Sequence, residues 1–322
     1  MKSYNVFGGV LRSELEFPEL QLVADDSADW TLRASAEPPS DVTQGSLLGE
    51  DKVDQGVMVR SYRVASGFQL VYEDTGVFDV SADGRDIVWH RPATVDLEAV
   101  RLDVLGRVLA LALHASGWLS LHGSAVVLDA GAVAFLAPKG NGKSTLAFAL
   151  MKAGAPLMTD DTVVVDAGPP AIVRPGVQSV RLFRDSADWL EAPDPVPGTS
   201  DIKATFGQLE TEARGTTRAP LAALYLLESV PLDTIPTPVV REPMVGPHAV
   251  FALLAQTKIG SLLRGGEAPA VFDAVASVAD GTPVYRLRVA RDYDRLGEVV
   301  QQIMAWHAAQ PAGAQPLQSA TS

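Results

Sequence analysis

The sequence contains no cysteine. That absence excludes disulfide bonds, zinc sites built from thiolates and a cysteine nucleophile, so any metal ion must be held by oxygen or imidazole ligands. A long apolar run is missing too. The longest mostly apolar segment, 104–113, is interrupted by Gly106 and Arg107, whereas a membrane-spanning helix needs about 20 apolar residues. We therefore expect no membrane partner.

Clusters of basic residues are also absent. The formal net charge is −13 at pH 7, and the 26 lysines and arginines are dispersed along the chain. Proteins that bind DNA or RNA usually carry a basic patch that follows the phosphate backbone, so nucleic acid is not an expected partner. The N-terminal segment MKSYNVFGGVLRSELEF lacks the apolar core of a secretory signal peptide, which predicts a cytoplasmic location.

The chain is long enough for two domains, with 322 residues of which 47% are hydrophobic. Residues 1–95 alternate short β-rich runs with turn residues. Within them, the pair Asp83–Gly84 suits the tight turn of a hairpin, because it tolerates positive φ. This pattern predicts a small antiparallel β domain.

The pattern changes at Asp96, which can cap a helix whose apolar positions recur at spacings of three and four. Strands and helices then interleave through residues 96–310, which predicts an α/β domain. Residues 311–322 have too few apolar side chains to order themselves, and we expect a flexible tail there.

A glycine-rich turn in the second domain carries the strongest chemical signal. The segment AVAFLAPKGNGKSTLAFAL reads as an apolar strand, a turn that ends in Gly142-Lys143-Ser144, and a helix. In a P-loop the glycines let backbone amides converge on a phosphate, the lysine reaches the β and γ oxygens, and the hydroxyl coordinates magnesium. The expected nucleotide-binding residues are Lys139, Gly140, Asn141, Gly142, Lys143, Ser144 and Thr145.

The loop departs from the strict P-loop pattern at its entrance, where Ala137 replaces the usual first glycine. An alanine is costly only if that position needs positive φ. The amides that surround the β phosphate come mainly from later positions, and the helix N-terminus adds a partial positive charge that favours an anion. We therefore expect a working phosphate site.

Two adjacent aspartates, Asp160 and Asp161, follow the loop after one short helix, in LMTDDTVVV. By itself such a pair is more typical of a turn or a helix cap. If residues 157–159 run beside the P-loop strand, however, the pair lies next to the magnesium ion and the γ phosphate. One carboxylate would then orient the metal, and the other would take the proton from an attacking hydroxyl.

The succession of LHGSAVVLD, the P-loop and MTDD resembles the C-terminal catalytic domain of HPr kinase/phosphorylase. It is also similar to the HPr-kinase-related proteins found with peptide-modification systems, including lasso-peptide clusters. The resemblance covers residues 96–310 and is concentrated in 118–166. It implies a P-loop kinase fold akin to phosphoenolpyruvate carboxykinase, preceded by the small β domain. It also implies ATP and Mg²⁺ as cofactors and a serine of a small protein or peptide as the acceptor.

The resemblance assigns roles to individual residues. Lys143 would neutralise the transferring phosphate, Ser144 would bind the metal, and the catalytic His122 would stand near the phosphates. Asp160 would be the base that accepts the serine proton, and Asp161 would help to hold magnesium. Members of this family are often hexamers, so a homo-oligomer is a further expectation, although the extra N-terminal domain could block those contacts.

The resemblance is weakest at the Glu-x-Arg-Gly signature that the bifunctional enzymes use for phosphorylase activity. The string at 212–215 lies farther from the aspartates than expected, and Thr216, Thr217 and Arg218 follow it directly instead of an apolar strand. We therefore expect kinase activity alone. Two alternatives stay open: a non-catalytic nucleotide-binding or sensing module, and a small-molecule kinase related to phosphoenolpyruvate carboxykinase. The second would need further metal ligands, and the chain has only five histidines.

Overall fold

The computed structural model describes residues 1–24, 27–39, 45–53, 56–195, 203–206 and 217–308. Within them the fold is mixed α/β, with two large sheets and a separate two-stranded one. Over the same ranges, no helix has the length and apolar character needed to cross a membrane. The predicted tail at 311–322 and the string at 212–215 lie outside the described residues.

The first sheet has nine strands in the order β3-β1-β2-β4-β9-β8-β7-β6-β5. Its strands are β1 (Lys2–Val6), β2 (Gly9–Ser13), β3 (Gln21–Leu22), β4 (Trp30–Ser35), β5 (Ser46–Lys52), β6 (Met58–Val64), β7 (Gly67–Tyr72), β8 (Gly76–Ser81) and β9 (Asp86–His90). The sheet is not purely antiparallel as predicted, because β4 pairs in parallel with both β2 and β9. Local alternation predicts strands, whereas strand direction depends on distant pairings such as Ala34 with Trp89.

The hairpin predicted at Asp83–Gly84 is confirmed, since β8 and β9 are antiparallel neighbours. Gly84 has φ of +76°, and a Cβ there would lie 2.1 Å from the carbonyl oxygen of Ala112. Both the backbone conformation and the close approach to the helix behind the sheet therefore require glycine.

That helix begins where the sequence predicts, with the Asp96 carboxylate accepting a hydrogen bond from the amide of Glu98 at 2.9 Å. It runs as α1 (Leu97–Asp103), a π-helical turn (Val104–Val108) and α2 (Leu109–Ala115). Its apolar side chains share one core cluster with the nine-stranded sheet. The helix thus packs on the sheet that precedes it, although the domain boundary near residue 95 stays a prediction.

Asp103 is a desolvated carboxyl at the start of the π-helical turn. Burial raises its pKa to about 7, against an ordinary value of 3.8, and the nearby Asp74 carboxylate acts in the same direction. The hydroxyl of Thr75 donates to it at 2.6 Å and opposes that shift. Since the folded chain holds this proton to a higher pH than the unfolded chain, the stability contributed by Asp103 is complete below about pH 4 and is lost as the pH rises through about 7.

Replacing Asp103 with asparagine is therefore expected to raise the free energy of unfolding at pH 8 by roughly 1–3 kcal/mol, and to change it little at pH 4. The amide oxygen still accepts the Thr75 hydroxyl, but no charge is desolvated. Denaturant unfolding at both pH values measures the effect, with the exposed Asp273→Asn as the matched control. Equal effects at the two pH values would contradict the assignment.

The second sheet has eight strands in the order β11-β10-β13-β14-β17-β19-β18, with β12 paired to β10 and β11 also paired to β17. Its strands are β10 (Leu119–Leu128), β11 (Gly131–Leu136), β12 (Leu157–Thr159), β13 (Thr162–Asp166), β14 (Ile172–Arg174), β17 (Ala219–Val230), β18 (Val239–Met244) and β19 (Val284–Ala290). The separate two-stranded sheet is β15 (Val180–Phe183) with β16 (Lys203–Phe206). Within the eight-stranded sheet, β10 and β11 form an antiparallel hairpin with Leu128 opposite Gly131.

Helices cover both faces of this sheet. They are α3 (Lys143–Lys152), α4 (Arg184–Trp189), α5 (Pro247–Leu254), α6 (Ala268–Gly281) and α7 (Leu296–Trp306). Along β11, Val133 and Phe135 belong to the core cluster that contains α3 and α7, whereas Ala134 and Leu136 belong to the cluster with α5 and α6. Successive side chains of a strand point to opposite faces, so β11 is buried on both sides. This packing fixes the position of its C-terminal end, where the glycine-rich turn begins.

Candidate nucleotide-binding and phosphoryl-transfer site

The predicted P-loop connects β11 to α3. Gly140 and Gly142 have φ of +87° and +85°, a region that glycine enters without the steric cost of a side chain. Ala137 has no positive φ, so the alanine at the loop entrance causes no backbone strain. The loop therefore has the backbone conformation that the glycines predict.

Lys143, the first residue of α3, is buried, with only 6% of its surface exposed. Its Nζ donates to the carbonyl oxygens of Ala137 at 2.7 Å and Pro138 at 3.2 Å. The buried ammonium group thus holds the first residues of the turn against the start of α3. The side chain of Asn141 also donates to Pro138, at 3.2 Å, which helps to fix the loop.

The aspartate pair does not reach the loop by the predicted route. The strand β12 pairs with β10 and not with β11, because β10 is the hairpin partner of β11 and occupies that edge, while β17 occupies the other. The pair nevertheless lies at the loop. Asp160 accepts the hydroxyl of Ser144 at 2.9 Å, and Asp161 lines the same cleft.

Asp160 is held by donors on both of its oxygens. Ser124 donates its hydroxyl to the same oxygen as Ser144, at 2.5 Å, and the Arg181 amide donates to the other at 3.3 Å. The residue is 3% exposed. Burial raises the pKa of Asp160, the charge of Asp161 adds to that effect, and the hydroxyl donors only partly oppose it.

Asp161 has the opposite electrostatic character. Its φ is +70°, a conformation that aspartate tolerates better than most residues, and its side chain is 54% exposed. Desolvation disfavours its charge, but the ammonium of Lys258 and the nearby His122 outweigh that and lower the pKa of Asp161 below the ordinary range. Lys258 contacts both the carboxylate, at 2.5 Å, and the backbone carbonyl, at 3.3 Å.

His122 lies on β10 and lines the cleft. Its Nδ1 is 3.1 Å from the Asp161 carbonyl oxygen, so that nitrogen carries the proton. Burial, followed by the charge of Lys258, lowers the pKa of His122 to about 4. The ring is therefore neutral near pH 7, with Nε2 as a hydrogen-bond acceptor.

Sequence reasoning missed Lys258. Lys258 follows α5 in the short segment QTKIG, and its amide donates to the Ser120 carbonyl at 2.9 Å, which fixes it beside β10. Arg181 lines the cleft, and its buried Nε has no hydrogen-bond partner among the residues that the structure describes. A lone lysine after an apolar helix is a weak signal, and nothing local connects it with residues near 160.

The loop, the aspartate pair and Lys258 line one cleft of about 1670 Å³. The cleft extends from the P-loop to side chains of the nine-stranded sheet and of the helix that packs on it, including Asp51, Asp74 and Asp103. The site is therefore much longer than the loop itself.

The donor set fits magnesium. The described part of the chain contains no group of three histidine, aspartate or glutamate side chains that could hold a metal ion by themselves. Mg²⁺ does not need one, since it is usually bound through one or two carboxylates together with phosphate oxygens and water. The Ser144 hydroxyl donates a hydrogen bond to Asp160, which leaves the lone pairs of the hydroxyl oxygen for a cation. Both carboxylates are hard oxygen ligands.

Comparisons with known proteins gave one kind of match. No family model and no curated protein matches the chain. Among solved structures, it is similar to the HPr(Ser) kinase/phosphatase from Coxiella burnetii, with 14% sequence identity and a TM-score of 0.33. The match covers 58% of this chain and 95% of the other.

Proposed function

We propose that this protein is an ATP- and Mg²⁺-dependent kinase that transfers the γ-phosphate to the hydroxyl of a serine in a small protein or peptide. The observation that carries the proposal is the 2.9 Å hydrogen bond from Ser144 to Asp160. It joins the phosphate-binding loop to a carboxylate pair at the point where the P-loop hydroxyl would face the metal. Kinase chemistry needs those two parts together.

The roles follow from the charges. Lys143 gives up its hydrogen bonds to the carbonyls of Ala137 and Pro138 and donates to phosphate oxygens instead. Its positive charge offsets the negative charge of the phosphate. Asp160 takes the proton from the serine hydroxyl as its oxygen forms a bond to the γ-phosphorus and the bond to the leaving diphosphate oxygen breaks. Asp160 suits this role because its pKa is raised, and a general base works best when its pKa is near the working pH.

Asp161 is suited to binding the metal ion. A carboxylate with a lowered pKa stays ionised and is a poor base, so it is matched to holding Mg²⁺ together with the Ser144 hydroxyl. When bound, Mg²⁺ neutralises charge on the β and γ phosphates. Lys258 holds the Asp161 carboxylate in place, and the neutral His122 offers Nε2 to a donor in the cleft.

A macromolecular acceptor is favoured by the size of the cleft. Small-molecule pockets are usually about 300–1,000 Å³, and this cleft measures about 1670 Å³. It has room for a nucleotide at the P-loop end and for a peptide segment along the side of the nine-stranded sheet.

The proposal is tested with γ-labelled ATP, Mg²⁺ and a library of serine-containing peptides. We expect label on serine, and no transfer when EDTA removes the metal. Isothermal titration calorimetry on the same preparation measures ATP binding. Tight binding with neither transfer nor hydrolysis would reject the kinase and favour a nucleotide-sensing module, whereas transfer only to small alcohols would reject the peptide acceptor.

A further inference from the structure

A stacked aromatic pair lies beside the P-loop and has no part in the chemistry described above. Trp189, the last residue of α4, and Tyr293, in the turn before α7, have ring centroids 5.4 Å apart and planes inclined by 24°. They are 42% and 37% exposed. Large aromatic side chains stabilise a protein most when they are buried. A stacked pair that stays partly exposed beside a cleft therefore has apolar surface on which a ligand can bind.

Hydrogen bonds connect this pair to the phosphate-binding loop. The Tyr293 hydroxyl is 2.8 Å from the Ser186 hydroxyl, and Thr145 donates to the same Ser186 oxygen at 3.5 Å. Thr145 directly follows the Ser144 assigned to the metal. Tyr293 lines the cleft together with the P-loop. Trp189 covers one side of the Tyr293 ring, and the rest of the tyrosine is partly exposed.

We infer that Tyr293, supported by Trp189, is the stacking surface for the base of the nucleotide. The inference rests on the proposed function in that the ligand is a nucleoside triphosphate. With the β and γ phosphates on the loop amides, the α-phosphate and sugar extend past the first turn of α3, where Thr145 and Ser186 lead to Tyr293. Stacking on an aromatic ring accepts any base, because every base has a π-face. Adenine and guanine nucleotides should therefore depend on Tyr293 to a similar degree.

The test compares ligands with and without a base. Calorimetry measures the binding of Mg²⁺·ATP, Mg²⁺·GTP and Mg²⁺·tripolyphosphate to the wild type and to Tyr293→Ala. We expect the variant to bind both nucleotides about 5- to 150-fold more weakly, the loss of one base–aromatic stack, and to bind tripolyphosphate as the wild type does. Tyr293→Phe keeps the ring and should stay within about 3-fold for all three ligands.

Phe251→Ala is the matched control, because Phe251 is a 67% exposed aromatic residue on α5 and does not line the cleft. Two results would overturn the inference: unchanged nucleotide affinity in Tyr293→Ala, or an equal loss for tripolyphosphate, which would indicate a general distortion of the loop. In both cases wild-type ATP binding would leave the proposed function standing. Failure of the wild type to bind any of the three ligands would reject both proposals.

Discussion

Replacing Asp160 with asparagine is expected to slow phosphoryl transfer about 10²- to 10⁴-fold while Mg²⁺·ATP binding stays within a few fold of the wild type. Asparagine has nearly the same shape, and its amide oxygen can still accept the hydroxyls of Ser124 and Ser144. Only the long 3.3 Å bond from the Arg181 amide is lost, so the loop should keep its geometry. It cannot take a proton from the acceptor serine. Single-turnover transfer and calorimetric binding on the same preparation separate these two effects.

The matched variant is Asp161→Asn. If Asp161 holds the metal, this change should raise the Mg²⁺ concentration needed for half-maximal transfer, and added Mg²⁺ should restore part of the rate. Asp160→Asn should not respond to added Mg²⁺. A wild-type rate in Asp160→Asn would show that Asp160 is not the base. Rescue of Asp160→Asn by Mg²⁺ would instead show that Asp160 acts on the metal through Ser144.

The pH dependence gives the same assignment an independent check. The base must be deprotonated, so the transfer rate should fall as the pH falls through the pKa of Asp160. Because burial raises that pKa, the fall in rate on the acid side of the profile, its acid limb, should occur at a higher pH than the ordinary pKa of an aspartate. The residual activity of Asp160→Asn should lack this limb. His122 titrates near pH 4, so it should add no limb of its own near neutrality.

The P-loop could be predicted because its parts are contiguous. A strand, a turn with two glycines at positive φ and a helix that begins at Lys143 follow one another in a single segment. Each part leaves a local signal of apolar periodicity or of residue type. The aspartate pair was also within reach, since it lies only one short helix beyond the loop.

The rest of the site depends on contacts between distant segments, which leave no local pattern. Lys258 reaches Asp161 because the segment after α5 bonds to the backbone of β10, where the amide of His122 donates to the carbonyl of Gln256 at 2.7 Å. Ser124 reaches Asp160 because β10 pairs with both β11 and β12. The parallel pairings of β4 are of the same kind. Sequence patterns predicted strands in these segments but not the pairings between strands that are distant in the sequence.

Replacing Lys143 with methionine is expected to weaken Mg²⁺·ATP binding about 10- to 150-fold, the range for losing one hydrogen bond to a charged group. Methionine fills a similar volume, so the buried position should stay packed. The substitution removes the ammonium group, which in the proposed function leaves the carbonyls of Ala137 and Pro138 to bind phosphate. Transfer should fall by more than binding does, because the charge on the γ-phosphate increases toward the transition state.

Lys152→Met, at the other end of α3, is the control for a lysine-to-methionine change in the same helix. Its Nζ donates to the Leu190 carbonyl at 2.6 Å, away from the loop, and we expect ATP affinity within about 2-fold of the wild type. Thermal unfolding of both variants without ligand checks the fold. If Lys143→Met kept wild-type affinity and a wild-type melting temperature, the ammonium would have no role in holding phosphate. Wild-type affinity with a lowered melting temperature would instead indicate that Lys143 only ties together the entrance of the loop.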